Sequence, residues 1–161
     1  MIRAATPSDA GAVAGIYNYY VAHTAVTFEE SEVTALQMAE RISDVLAVPL
    51  PWLVAEHSGR IVGYAYAGRW KVRSAYRFTV ETTVYLDRDI RGQGLGSLLY
   101  EALFAALARR DVHVAVGVIA LPNESSIALH EKFGLRKAAH FREVGFKFGK
   151  WIDVGYWQKV L

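Results

Sequence analysis

The apolar positions of this chain switch between two periods. In "TPSDAGAVAGIYNYYV", Val13, Ile16 and Tyr20 recur on one helical face behind Thr6, Pro7 and Asp9. That order supplies an N-cap hydroxyl, a proline at the first helical position and an acid at the positive helix end. A second helix is predicted over "TALQMAERISDVLA", with Thr34 and Gln37 in capping-box spacing and the Pro49 and Pro51 pair as its stop. From Trp52 the period changes. "WLVAEH" and "RIVGYAYAGRW" flank a Ser58-Gly59 turn as a hairpin, and "YRFTVETTVYL" is a long third strand. Helical spacing returns in Leu95, Leu99, Leu103 and Leu107. "HVAVGVIAL" then reads as a buried strand, "ESSIALHEKF" as a short helix ended by Gly134, and aromatic-rich strands around 141–148 and 151–160 close the sheet. Strands in this order, interrupted by helices, predict a mixed α/β sheet.

Composition narrows the class. The 161 residues are 53% hydrophobic and 21% charged, which suits one domain over 1–161. The longest apolar stretches fall short of the roughly 20 residues of a membrane span, and "MIRAATPSD" lacks a signal-like apolar region, so a soluble cytoplasmic protein without a membrane partner is expected. A net charge of +2 is too small for a nucleic-acid footprint. The absence of cysteine excludes disulfides, thiolate metal sites and an acyl-cysteine mechanism.

The stretch "RDIRGQGLGS" between the third strand and the leucine helix is the first candidate for chemistry. Leu99 stands where a dinucleotide fingerprint needs its third glycine, and "GLGSLL" lacks the Lys-Ser/Thr pair of a Walker A loop. What remains is an arginine and alternating glycines leading into a helix N-terminus, which suits a pyrophosphate or serves as a plain turn.

Four further positions carry alternatives. Period two over 78–86 puts Glu81 on one face with Thr79, Thr83 and Tyr85; it is either a surface carboxylate or a general base for an amine. His130 lies one turn after Ile127 and one before Phe133, as a core histidine or a catalytic one. "HEKF" resembles half of a zinc motif, but Gly134 occupies the second histidine position, so no metal is expected. Asn123 caps the short helix or meets a ligand. "RWKVRSAYR" is a solvated turn, a stacking surface for single-stranded nucleic acid, or an anion clamp built on Lys71 and Arg73.

Together these residues carry a resemblance. "RGQGLG" fits the R/Q-x-x-G-x-G/A signature of the GNAT acetyltransferase superfamily, and "WKVRSAY" and "LPNESSIALHEKFG" resemble its phosphinothricin and methionine sulfoximine N-acetyltransferase branch. The resemblance implies a mostly antiparallel sheet flanked by helices and acetyl-CoA as co-substrate. It implies a homodimer acting on a small amino acid by direct attack in a ternary complex. It assigns Glu81 and His130 to catalysis, His130 standing where many GNAT enzymes carry tyrosine. It gives the backbone of Val84, Tyr85 and Leu86 to the pantetheine arm, Arg91, Gly92, Gln93, Gly94, Leu95, Gly96 and Ser97 to the pyrophosphate, and Asn123 to a further acetyl-CoA contact. Lys71, Arg73 and Tyr76 would bind the acidic head of the substrate, and Phe28, which packing explains equally well, would line its site.

Overall fold

A single seven-stranded sheet runs through the computed structural model, which describes residues 1–90 and 92–161. Its strands are β1 (Ile2–Ala4), β2 (Trp52–His57), β3 (Arg60–Arg69), β4 (Thr79–Leu86), β5 (Val114–Ala120), β6 (Arg136–Lys147) and β7 (Lys150–Val160). Their spatial order is β1-β2-β3-β4-β5-β7-β6. The β2–β3 hairpin turns on Ser58 and Gly59, at φ of 50° and 74°, the left-handed pair that a tight two-residue hairpin requires. β1 was not expected: three residues are too few to show a period, and what holds them is pairing with Leu53–Ala55 of β2.

The helices are α1 (Ala10–His23), α2 (Ala35–Ala47), α3 (Leu95–Leu107) and α4 (Glu124–Lys132). α1 starts later than its sequence suggests, because residues Pro7–Asp9 form a 3-10 turn. The Asp9 carboxylate accepts from the Thr6 N–H at 2.8 Å and from both terminal nitrogens of Arg3, at 2.8 and 2.9 Å. Arg3 holds that carboxyl down to about 2, tying β1 to the head of α1. The capping box of α2 forms as expected: the Thr34 hydroxyl accepts from the Gln37 N–H at 3.1 Å, and the Gln37 side chain accepts from the Thr34 N–H at 2.9 Å.

α1 and α2 cover one face of the sheet, where Val13, Ile42, Trp52 and Tyr64 share a core. α3 covers the other through Leu99, Leu103 and Leu107 against Val62, Ala65 and Val80. Among the described residues no helix is long and apolar enough to cross a membrane. The last two strands begin earlier than their aromatic content suggested, and β7 rather than β6 lies beside β5, leaving β6 at the edge.

One junction positions the site. β4 and β5 are parallel, joined by a crossover through α3, and they pair only at Thr79↔Val114, Val80↔Ala115 and Glu81↔Val116. β4 continues to Leu86 and β5 to Ala120. Beyond Glu81 the two strands part.

Candidate active site

The parting leaves backbone polar groups on both lips. The Phe78 carbonyl accepts from the His113 and Val114 N–H groups, whereas the Thr79 carbonyl accepts from Trp70 on the β3 side. Backbone groups therefore alternate along β4: Val84 turns its own toward the gap, and the Leu86 N–H is in the same phase, while the Leu86 carbonyl accepts from the Tyr20 hydroxyl of α1 at 2.6 Å. Tyr85 is out of phase with them, its backbone groups directed to Tyr64 of β3, and it also lines the cleft. A cleft of about 280 Å³ opens here. That volume is near the lower end for ligand pockets, enough for a small amine and an acyl group but not for a whole coenzyme.

Glu81 stands at the fork, half-buried, on the face covered by α1 and α2. Burial raises its carboxyl above the ordinary 4.5, and the charge of Lys71 offsets this in part. A carboxylate so placed is a stronger proton acceptor than one in water.

His130 enters from the opposite face. α4 lays it directly on Gly117 of β5, where an added Cβ would come within 2.3 Å of the imidazole. Only glycine admits the ring at that position. His130 is 4% exposed, and burial lowers its pKa below 6.5, with the Ser126 carbonyl opposing. Its Nδ1 lies 2.7 Å from that carbonyl, which can only accept, so Nδ1 carries the proton. Nε2 is then a bare lone pair in the neutral ring. It faces the Tyr100 hydroxyl at 2.9 Å, and the same hydroxyl is 3.3 Å from Thr82 Oγ1. Burial pushes the Tyr100 phenol well up, so it stays protonated. Tyr100 and His130 both line the cleft with Glu81.

The glycine loop leads into α3 at the end of the gap. Gly92 and Gly94 sit at φ of 77° and 73°, a region where a β-carbon is strained, and Gly94 is the N-cap of α3. Gln93, Leu95, Gly96 and Ser97 share this corner, and the Ser97 hydroxyl accepts from Lys132 at 2.9 Å. Arg91 lies outside the described residues. Asn123 caps α4, its Oδ1 accepting from the Ser126 N–H at 3.1 Å, and it also lines the cleft.

A family model described as the acetyltransferase (GNAT) domain matches residues 2–155. The chain belongs to the GNAT acetyltransferase family. A phosphinothricin N-acetyltransferase of Streptomyces viridochromogenes is 42% identical over 161 residues, covering 98% of this chain and 86% of the relative. An L-methionine sulfoximine/L-methionine sulfone acetyltransferase of Salmonella typhimurium is 35% identical over 157 residues, covering 98% and 92%. Among solved structures, a GNAT phosphinothricin acetyltransferase from Sinorhizobium meliloti in complex with acetyl-CoA superposes with a TM-score of 0.97 at 33% identity, covering 100% of this chain and 88% of that one.

In this GNAT enzyme the cleft gathers Glu81, His130, Val84, Tyr85, Asn123 and Phe28. Lys71 and Tyr76 lie next door, in a groove of about 530 Å³ whose floor includes Thr79 and Val116, on the Glu81 face. Arg73 lines neither and is exposed on the β3–β4 connection. Tyr17, Tyr66 and Tyr100 are among the cleft residues that the sequence did not single out. For Tyr100 a signal existed: a phenol inside a leucine-rich buried helix needs a hydrogen-bond partner.

Proposed function

We propose that this GNAT enzyme transfers the acetyl group of acetyl-CoA to the α-amino group of a small amino acid with an anionic or strongly polar γ-group. Phosphinothricin, methionine sulfoximine and methionine sulfone are the type, and the attack is direct, within a ternary complex. The observation that carries this reading is the fork: Glu81 on one lip of the cleft, with Tyr100 backed by His130 across it.

Proton accounting gives each group a task. The substrate arrives as an ammonium with three N–H bonds and leaves as an amide with one, so two protons are shed. Glu81 takes one, directly or through water, freeing the lone pair that attacks the thioester carbonyl. The N–H groups of Val84 and Leu86 on the gap meet the developing oxyanion. The second proton leaves the nitrogen of the tetrahedral intermediate by way of the Tyr100 hydroxyl to His130 Nε2. As the C–S bond breaks, the same path returns it to the thiolate, so His130 is base first and acid second. The pantetheine arm follows Val84 and Leu86, and the pyrophosphate lies over Gly92, Gln93, Gly94, Leu95, Gly96 and Ser97, where α3 offers its unsatisfied donors. Asn123 adds a contact from α4. Lys71, Arg73 and Tyr76 grip the polar head of the amino acid, and Phe28 lines its side.

We infer one domain in the cytoplasm, paired with a second copy and with no nucleic-acid or membrane partner. The aromatic exposure of Phe146, Phe148 and Trp151 on the β6–β7 hairpin supports the pairing. Release of free CoA thiol across a panel of phosphinothricin, methionine sulfoximine, methionine sulfone, a polyamine and an N-terminal alanine peptide tests the reading. Turnover on the three amino acids supports it, and preference for the polyamine or peptide overturns it.

A further inference from the structure

Lys147 is a buried ammonium that the transfer chemistry does not use. It ends β6, is 2% exposed, and donates to the Thr27 carbonyl at 2.8 Å across 120 positions of sequence. Thr27 belongs to the α1–α2 connection, and Val26, Thr27 and Phe28 form the wall of the cleft opposite the strands. The next residue of that wall is seated on β6 as well: the Phe28 ring lies so close to Gly145 that a Cβ there would come within 2.4 Å of it.

The register explains why this edge strand reaches the cleft. Gly145 pairs with Ile152 and Lys147 with Lys150, while Phe141 pairs with Val154, so Arg142, Glu143 and Val144 bulge opposite Asp153 alone. The Asp153 carboxylate accepts from the Glu143 N–H at 2.8 Å and bonds His140 Nε2 at 2.7 Å, which holds the bulge. Pairing carries the face from Glu81 through Val116, Val118 and Ala120 to Val154, and from there to Gly145 and Lys147. From the other side, the Tyr17 hydroxyl bonds Thr27 Oγ1 at 2.7 Å and donates to Glu29, which Arg41 also holds. The wall is thus pulled toward β6 by its carbonyl and toward α1 by its side chain.

We propose that Lys147, with Gly145 beneath Phe28, is a specificity-determining positioning site that fixes the amino-acid wall of the cleft without touching the acetyl-CoA half. This inference rests on the proposed transfer to a small amino acid. Losing a charge-assisted hydrogen bond to the wall loosens the fit of the acceptor, whereas the coenzyme is proposed to bind along β4, the glycine loop and α4, and the Lys147 ammonium is directed to the Thr27 carbonyl instead.

The test is Lys147→Met, which keeps the apolar stem and removes the ammonium, with Lys147→Arg as the conservative variant and Gly145→Ala as a second approach to the wall. Steady-state kinetics on methionine sulfoximine are read beside the melting shift caused by acetyl-CoA. Lys147→Met is expected to raise KM for the amino acid roughly tenfold with a smaller change in kcat. KM for acetyl-CoA and its melting shift stay as in the wild type, Lys147→Arg recovers most of the loss, and Gly145→Ala raises the amino-acid KM in the same sense. An amino-acid KM within twofold of wild type in Lys147→Met overturns the proposal. So does loss of the acetyl-CoA shift or of folding, which makes the lysine a general prop. Failure of the wild type to acetylate the amino acid at all is a different result, and it counts against the proposed function.

Discussion

The Nε2 of His130 stands 2.9 Å from the hydroxyl of Tyr100, and its Nδ1 proton is committed to the Ser126 carbonyl. A neutral imidazole bonded in this way only accepts, so a proton from the cleft is proposed to reach Nε2 through the phenol. Tyr100→Phe keeps the ring packing against Phe104 and Phe133 while removing that route. It is expected to lower kcat by about 10²-fold. Stability should fall by about 1–2 kcal/mol, because the imidazole lone pair is left buried without a donor. Rate assays and melting curves of the variant check both; a kcat within threefold of wild type would remove Tyr100 from the proton path.

The glycine loop makes a binding prediction that needs no turnover. Acetyl-CoA should raise the melting temperature in proportion to the logarithm of its concentration once it exceeds its Kd. Gly94→Val should abolish the shift, since a β-branched residue cannot hold φ of 73° at the head of α3 without strain. The glycine has open space where a Cβ would stand, so crowding is not the cause. An intact shift in Gly94→Val would place the anion elsewhere.

Lys71 and Arg73 separate by position. The charge of Lys71 is felt at Glu81, and the residue lines the groove beside the cleft; Arg73 lines neither. Lys71→Ala should raise KM for methionine sulfoximine roughly tenfold. Arg73→Ala should cost as much only if substrate draws the β3–β4 connection inward, because an exposed charge contributes little by itself. Parallel kinetics on the two variants distinguish a two-cation grip from a lysine acting alone, and unchanged KM in both would dismiss the grip.

The fold was legible to the extent that it was periodic. Four helices and six strands follow from spacing, caps and turns, while β1 escapes because three residues have no period and depend on β2 for their pairing. Glu81 could be found because alternation put it among polar neighbours on an interior strand. The cleft could not, since it exists only where β4 and β5 stop pairing, a long-range event with no local mark. Tyr100 was hidden by the leucines around it: apolar periodicity reports burial and is silent about what a buried hydroxyl bonds. Lys147 reads in sequence as one more solvated cation, and only the bulge opposite Asp153 brings it to Thr27.

Glu81 is the group proposed to free the attacking amine. Burial lifts its carboxyl above 4.5, so the base form is lost as pH falls through that raised value and is complete above it. An α-amino group is mostly protonated at neutral pH, so the carboxylate matters most near neutrality and least once solution deprotonates the amine. The decisive measurement is kcat/KM for methionine sulfoximine against pH, at saturating acetyl-CoA, in wild type and Glu81→Gln. The variant should be about 10²-fold slower at neutral pH, with the gap closing as pH rises past the amine's own pKa and the acetyl-CoA melting shift unchanged. Equal rates at neutral pH, or a gap that stays constant at every pH, would contradict it.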